Sequence, residues 1–129
     1  MSMQRQLKLA GLSFVFIWFM LGGIGHFVFT SFFVNIVPPY IAFARLAVFV
    51  SGVFEILGAL GLIFPPTRKL AGYGLILLTL SVTPANVHMW MHPESYPNIP
   101  MWLLSLRLVI QVGLVWLIWW STRPVKANP

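Results

Sequence analysis

Ionisable side chains stand inside the apolar runs of this chain, where charge is costly. Arg45 and Glu55 both fall in the run 40–64. A charged side chain at the centre of a bilayer costs ~2.5–3.5 kcal/mol on insertion scales, so it must face protein, a ligand or water. Ten residues separate the two, about 15 Å along a helix, which is too far for direct pairing. We therefore predict that Glu55 is partnered by His26, by Gln111 or by its own proton.

Further polar residues lie at a similar level in the other apolar runs, if these runs are antiparallel helices that rise ~1.5 Å per residue. Glu55 then lies near the middle of the membrane, and Gln111 shares a helical face with Arg107, four residues earlier. The side chains expected in the half of the membrane away from the chain termini are His26, Arg45, Asn86, His88 and Arg107. They come from four different runs, which predicts one ligand-binding pocket that they share with Glu55 and Gln111.

The predicted pocket contains more cations than anions, because Glu55 is the only acidic residue in the four runs. Two arginines and the histidines could attract a carbonyl, a phenolate or a carboxylate. Glu55 and His26 form a candidate proton relay, and no firmer catalytic residue is assigned. We expect no metal site, since His26, His88 and Glu55 would have to converge from three helices within bonding distance.

Each of these residues also has a structural interpretation. Arg45 and Arg107 lie near one membrane surface, where their guanidinium groups could extend to lipid headgroups. Glu55 could form a hydrogen bond that only joins two helices, and His26 could be a helix-contact residue.

The third run contains Pro84, which has its own structural interpretation. A proline inside a helix frees a carbonyl one turn earlier, near Leu80. Ser81, Thr83 or Asn86 could satisfy that carbonyl, in which case Asn86 would serve the backbone and not a ligand.

The composition predicts the elements that position these residues. Of 129 residues, 59% are hydrophobic and 8% are charged, whereas a soluble domain has about 25% charged residues. Each apolar run is continuous and too long for a membrane strand of ~10 residues. We predict an all-α fold, an integral membrane four-helix up-down bundle formed by a single domain, residues 1–129. Its spans are expected at about 9–34, 40–64, 70–90 and 101–120, joined by short loops.

Lysine and arginine indicate the orientation of the spans. The loops near 33–39 and 91–100 contain neither residue type. Six basic residues flank the other ends of the runs, namely Arg5, Lys8, Arg68, Lys69, Arg123 and Lys126. The positive-inside rule then places both termini in the cytoplasm, and the first run continues to Phe33, which predicts a retained span and not a cleaved signal peptide. We expect a multi-pass protein of the inner (cell) membrane of a bacterium, and the basic excess is not a sign of nucleic-acid binding.

Several motifs carry a family resemblance from about Phe14 to Trp120. They are GGIGHFV (22–28), FFVNIVPPYI (32–41), SGVFEILGALGL (51–62), PPTRKLAGYGL (65–75) and PANVHM (84–89). In order and spacing they resemble the small DoxX-like membrane proteins. The resemblance implies a four-helix membrane protein, in some members an accessory of quinone-linked redox systems, with pattern residues at His26, Glu55, Asn86 and His88. The chain has no cysteine, so a thiol-based electron relay inside this subunit is excluded.

Three functions remain open at this stage. The first is a quinone-binding accessory subunit of a redox system, with a partner subunit, in which this chain is at most part of an oxidoreductase. The second is a non-catalytic protein that binds a lipid or another small amphiphile. The third is a structural membrane partner whose polar residues only join helices. A homo-oligomer is compatible with all three, and a transporter is disfavoured because four helices without a repeat leave little room for alternating access.

Overall fold

The computed structural model describes residues 2–125, and all regular structure in that part of the chain is helical. Five α-helices and one 3-10 turn follow in order: α1 (Met3–Val28), α2 (Thr30–Ile36), α3 (Ala44–Ile63), α4 (Pro65–Met91), the turn Pro93–Ser95, and α5 (Met101–Ser121). Helices α1, α3, α4 and α5 are long and apolar enough to cross a membrane. This confirms the all-α prediction with four long apolar helices; Lys126, used above for orientation, lies outside the described residues.

The four long helices form a closed ring. Helix α1 packs against α3 and α5, and α4 packs against the same two helices from the other side. Short connections make neighbours antiparallel, so the bundle has two distinct ends. The terminal end holds both ends of the described chain and the turn at Phe64. The loop end holds the segments 37–43 and 92–100 together with α2, which contacts α1, α3 and α4.

The first apolar run forms two helices and not one. Helix α1 begins at Met3, earlier than the predicted span, because the Ser2 hydroxyl accepts a hydrogen bond from the Arg5 N–H at 3.2 Å and caps the first turn. The helix ends at Phe29, whose backbone leaves the helical region with φ −112° and ψ 44°. After this break α2 turns over the loop end of the bundle.

The second run starts its helix later than predicted. Phe43, directly before α3, has φ 56° and ψ 52°, a left-handed conformation that interrupts a right-handed helix. The stretch from Tyr40 to Phe43 is therefore a loop, and the helix begins at Ala44.

The predicted loop around Pro65 is the first turn of α4. A proline at the start of a helix loses nothing by lacking an N–H, since that group has no helical partner there. Only Phe64 separates α3 from α4. The last carbonyls of α3 are satisfied by side chains of α4, because Arg68 Nε donates to the Leu62 carbonyl at 2.9 Å and the Thr67 hydroxyl donates to the Gly61 carbonyl at 2.7 Å.

Helices α1 and α3 approach closely where two glycines face each other. A Cβ atom on Gly23 would lie 2.9 Å from the Gly52 carbonyl oxygen, and a Cβ atom on Gly52 would lie 2.9 Å from the Cβ of His26. Neither helix could carry a larger residue here without moving away from the other. This contact is typical of helix pairs in membranes, where small residues allow backbones to pack together.

Two separate apolar clusters fill the bundle. The terminal-end cluster is built from all four long helices and consists of Leu12, Val15, Phe19, Ala59, Leu62, Leu75, Leu114 and Ile118. The loop-end cluster is smaller and consists of Ile36, Met89 and Leu104, against which Phe33, Tyr96 and Ile99 pack. The core is therefore apolar at both ends, and any polar site in the centre of the bundle must be formed by the residues between the clusters.

Candidate functional site

Between the two apolar clusters, the sides of the helices that face the core carry polar side chains. On α5, Arg107 and Gln111 follow Leu104 at helical spacing and precede Leu114, so they lie on the core face of that helix. On α4, Thr83 and Asn86 likewise fall between Leu75 and Met89. We call this set the polar layer, and its members are His26, Glu55, Thr83, Asn86, Arg107 and Gln111.

Glu55 contacts His26 across the interface between α1 and α3. The imidazole Nδ1 lies 2.9 Å from Oε2 of Glu55, and the two side chains are only 12% and 13% exposed. The same Nδ1 lies 2.6 Å from the Gly22 carbonyl oxygen. A carbonyl oxygen only accepts, so Nδ1 carries a hydrogen directed to the Gly22 carbonyl, and the Glu55 oxygen is in close contact without an aligned hydrogen bond. Of the three partners considered for Glu55, the structure provides His26.

The surroundings of this pair hold both side chains in place. A Cβ atom on Gly22 would lie 3.1 Å from Oε1 of Glu55, so a glycine here makes room for the carboxyl group. The His26 ring stacks on Phe33 of α2, with ring centroids 4.1 Å apart and planes 14° from parallel. Oε2 of Glu55 is buried and has no aligned hydrogen bond besides the close His26 contact. One carboxylate oxygen therefore depends on the imidazole alone.

Arg107 is partly buried and lies next to a neutral partner. Its Nε and Nη2 atoms donate to Oδ1 of Asn86 at 3.1 and 2.9 Å. Asn86 is 9% exposed, and within residues 2–125 no carboxylate lies within 4 Å of the Arg107 guanidinium group. One turn along the same interface, the Thr83 hydroxyl contacts Oε1 of Gln111 at 2.6 Å. Helices α4 and α5 thus share a cation that has amide oxygen but no counter-charge.

The remaining predicted site residues lie apart from these pairs. Arg45 is exposed, and its side chain forms no hydrogen bond or ion pair among the described residues. His88 faces His92, with ring centroids 4.4 Å apart. In the described part of the chain no group of three or more His, Cys, Asp or Glu side chains is placed to hold a metal ion.

The structure therefore groups the predicted residues as pairs. His26–Glu55 lies between α1 and α3, and Asn86–Arg107 lies between α4 and α5, which is the opposite interface of the ring. The prediction of one pocket shared by all of them stays a prediction. Sequence reasoning placed Thr83 with the backbone and not in the site, although its spacing of three residues from Asn86 indicated a shared helix face.

One comparison with known proteins gives a match over most of the chain. A family model described as a domain of unknown function, DUF8561, matches residues 15–122. The chain belongs to the DUF8561 family. The matched residues of this DUF8561 domain include both apolar clusters except Leu12, together with every member of the polar layer. No curated protein and no solved structure matches the chain.

Proposed function

We propose that this DUF8561 protein is a multi-pass protein of the bacterial inner (cell) membrane with both termini in the cytoplasm. The basic residues that flank the helices support this orientation, because Arg5, Lys8, Arg68, Lys69 and Arg123 all belong to the terminal end of the bundle. The loop segments 37–43 and 92–100 have neither lysine nor arginine. The loop end then faces the outside, and the polar layer lies between the membrane centre and that surface.

We further propose that the polar layer binds the carbonyl headgroup of a quinone or a similar small amphiphile. The observation that carries this proposal is the partly buried guanidinium group of Arg107, which has no carboxylate within 4 Å among residues 2–125. Nε and Nη2 donate to Asn86, and within residues 2–125 Nη1 forms no hydrogen bond, so its donors are available to an acceptor from a ligand. A quinone carbonyl is such an acceptor, it carries no charge that must be desolvated, and it resides in the bilayer.

The His26–Glu55 pair would then supply the proton chemistry of a quinone site. Conversion of a quinone to a quinol takes up two electrons and two protons. An imidazole and a carboxyl group in contact can pass a proton between them within the apolar span. The electrons would come from a redox partner subunit, as the resemblance to DoxX-like proteins implies, since this chain has no cysteine for a thiol relay.

A non-catalytic lipid-binding function has its own support in the structure. A groove of about 400 Å³ runs along the α1–α3 interface near the terminal end, with Leu12, Phe16 and Leu62 among its apolar lining residues and Arg68 at its polar end. Such a groove suits an acyl chain with an anionic headgroup at the arginine.

A purely structural function is supported by the pairing of the polar layer across helices. The contacts His26–Glu55, Asn86–Arg107 and Thr83–Gln111 each join two neighbouring helices. Hydrogen bonds of this kind stabilise helix association in membranes by about 0.6 kcal/mol on average.

Quinone binding by two arginine variants tests the main proposal. The purified protein in lipid nanodiscs is titrated with a short-chain quinone, and the bound fraction is measured by native mass spectrometry. Arg107→Gln is expected to weaken binding about tenfold, which corresponds to the loss of ~1.4 kcal/mol. Arg45→Gln is the matched control, because Arg45 is exposed and unpaired among the described residues, and should bind as the wild type does.

The outcomes separate the three functions. Equal quinone affinity in Arg107→Gln and the wild type, or no binding of either quinone or quinol, overturns the quinone proposal. A co-purified phospholipid that is lost in Arg68→Gln favours the lipid-binding function. Reduced thermal stability in polar-layer variants without any bound molecule favours the structural function.

A further inference from the structure

Helix α4 contains a backbone carbonyl whose ordinary helical donor, the N–H four residues later, is missing. Pro84 lies inside the helix and has no N–H to donate to the Leu80 carbonyl four residues earlier. The nearby hydroxyl groups are used elsewhere, because Ser81 donates to the Leu77 carbonyl at 2.8 Å and Thr83 contacts the Thr79 carbonyl at 2.9 Å. No side-chain hydrogen bond within residues 2–125 ends on the Leu80 carbonyl, which corrects the expectation that a neighbouring side chain satisfies it.

Leu80 and Pro84 both line an open groove on the face of α4 beside the loop that precedes α3. The groove has a volume of about 590 Å³. Its lining residues are Tyr40, Leu80, Thr83, Pro84, Val87, His88, Met91 and His92. Leu80 and Pro84 lie at the end of the groove nearer the middle of α4. His88 and His92 lie one to three turns further toward the loop end.

The polar atoms of this groove favour a ligand that donates hydrogen bonds. An unpaired backbone carbonyl is costly in hydrocarbon, so a donor from a ligand would stabilise the Leu80 oxygen that has lost its ordinary helical partner. At the other end of the groove, Nδ1 of His92 lies 3.0 Å from the His88 carbonyl oxygen and therefore carries a hydrogen that it donates. In the ring tautomer with its hydrogen on Nδ1, Nε2 of His92 is a second acceptor in the groove.

The walls of the groove favour a flat ring as the donor's body. The Pro84 ring and the His88 imidazole lie on α4, and His92 follows directly after it. The Tyr40 phenol lies on the loop before α3, and the apolar side chains of Leu80, Val87 and Met91 complete the lining. A phenol combines a planar apolar ring with a strong O–H donor. An aliphatic chain attached to that ring would extend into the lipid, because Leu80 is 56% exposed on the outer surface of the bundle.

We propose that this groove is a binding site for a phenolic amphiphile whose hydroxyl group donates to the Leu80 carbonyl. The groove is separate from the polar layer, whose members on α4, Thr83 and Asn86, lie on the side of that helix that faces the core. Thr83 is the only lining residue that belongs to both, through its contact with Gln111. The proposal is independent of the quinone function, since it rests on a backbone acceptor and not on Arg107.

A pair of probes that differ in one hydrogen-bond donor tests the proposal. Binding of 4-nonylphenol and of its methyl ether is measured by isothermal titration, with the protein in a detergent that has no hydroxyl groups to compete. The wild type is expected to bind the phenol about tenfold more tightly than the ether, since one hydrogen bond contributes ~1 kcal/mol and more in an apolar setting. Equal affinities for the two probes overturn the proposal.

Substitutions in α4 assign the preference to the freed carbonyl. Pro84→Ala restores an N–H for the Leu80 carbonyl, so the phenol should lose its advantage and bind like the ether. Pro97→Ala, in the exposed loop, is the matched control and should keep the tenfold preference. Leu80→Trp narrows the groove without changing the carbonyl and should weaken both probes, which provides a second test should Pro84→Ala fold poorly.

Two further results would contradict the assignment. One is a preference for the phenol that persists in a folded Pro84→Ala variant. The other is a preference for the phenol that disappears in Arg107→Gln. The second variant also separates the two proposals, because it lowers quinone binding only if the polar layer is the quinone site, whereas the phenol preference in the groove is unaffected by it.

Discussion

At the scale of single residues, the contact between His26 and Glu55 is the one ion-pair contact in the polar layer among residues 2–125. Either group alone would be a charge or an unpaired polar group in an apolar span. In contact, the imidazole and the carboxyl group offset part of the cost of removing each from water. Gly22 leaves room for the carboxyl group, and Phe33 stacks on the imidazole ring. The pair therefore stabilises the α1–α3 interface only while both members are present.

A double-mutant cycle measures this coupling. Glu55→Leu and His26→Leu each leave one buried polar partner unpaired, and each is expected to lower the free energy of unfolding by about 1–3 kcal/mol. The double variant should lose less than the sum of the two single losses, because it leaves no orphaned group. Unfolding by a denaturing detergent, followed by circular dichroism, provides the measurement. Additive losses would show that the two side chains do not interact.

Tyr96 connects the loop segment 92–100 to α2. Its hydroxyl group predicts that the stability of the fold depends on pH. The hydroxyl donates to the Asn35 carbonyl at 3.1 Å, and burial raises the pKa of Tyr96 above its ordinary value of about 10.0. The raised pKa means that the folded state holds this proton more tightly than the unfolded state. The stability that it contributes is therefore complete below pH ~10 and is lost as pH rises through the folded pKa.

Absorbance of tyrosinate at alkaline pH checks this prediction. Subtracting the titration of Tyr96→Phe from that of the wild type gives the curve of Tyr96 alone, and its midpoint should lie above pH 10. Tyr40→Phe, which removes a 74% exposed phenol, controls for the loss of one chromophore. A difference curve centred at or below pH 10 would contradict the raised pKa of Tyr96.

At the scale of the helices, the glycine contact between α1 and α3 determines how the polar layer is assembled. Gly52→Ala would place a methyl group 2.9 Å from the Cβ of His26, so the two helices must separate and the His26–Glu55 contact must lengthen. We expect a lower thermal stability in detergent. Gly113→Ala is the matched control, because nothing lies within 4 Å of its added Cβ atom, and it should be neutral or slightly stabilising. Equal stability of the two variants would contradict the close approach.

The long helices were predictable from sequence because four apolar runs exceed the length of a membrane strand. Their ends were not, because each end depends on backbone geometry that hydrophobicity does not encode. The predicted spans 40–64 and 70–90 leave Pro65 in a loop, yet proline is equally suited to the first turn of a helix. Phe43 gave no signal at all, since a left-handed backbone is usually marked by glycine or asparagine.

The members of the polar layer were predictable in part and their contacts were not, since Arg45 and His88 lie outside the layer and Thr83 was missed. Depth along each span follows from the rise per residue, so a polar level containing Glu55 and Arg107 could be expected. Which side chains touch depends on the order of helices around the ring and on the rotation of each helix. Sequence left three partners for Glu55, and only the packing of α1 on α3 selects His26.

At the scale of the whole molecule, the two apolar clusters determine how the polar layer can be reached. The terminal-end cluster closes it from one side. The loop-end cluster, with Ile36 of α2 and Met89 and Leu104 of the long helices, closes it from the other. A ligand that enters along the bundle axis would have to displace one cluster. Entry from the lipid between two helices avoids this cost, which fits a small amphiphile better than a water-soluble substrate.

The orientation of the bundle is the property on which these depths depend, and the chain is suited to measuring it because it has no cysteine of its own. Ser95→Cys places a thiol in the loop segment 92–100, and Gln4→Cys places one at the terminal end; both positions are exposed. The basic residues at the terminal end predict that a membrane-impermeant maleimide labels Ser95→Cys in intact cells but labels Gln4→Cys only after the membrane is opened. Val112→Cys, 74% exposed on the surface of α5, is the control within a span and should be labelled in neither condition. The reverse pattern would place the loop end in the cytoplasm and the polar layer in the other leaflet.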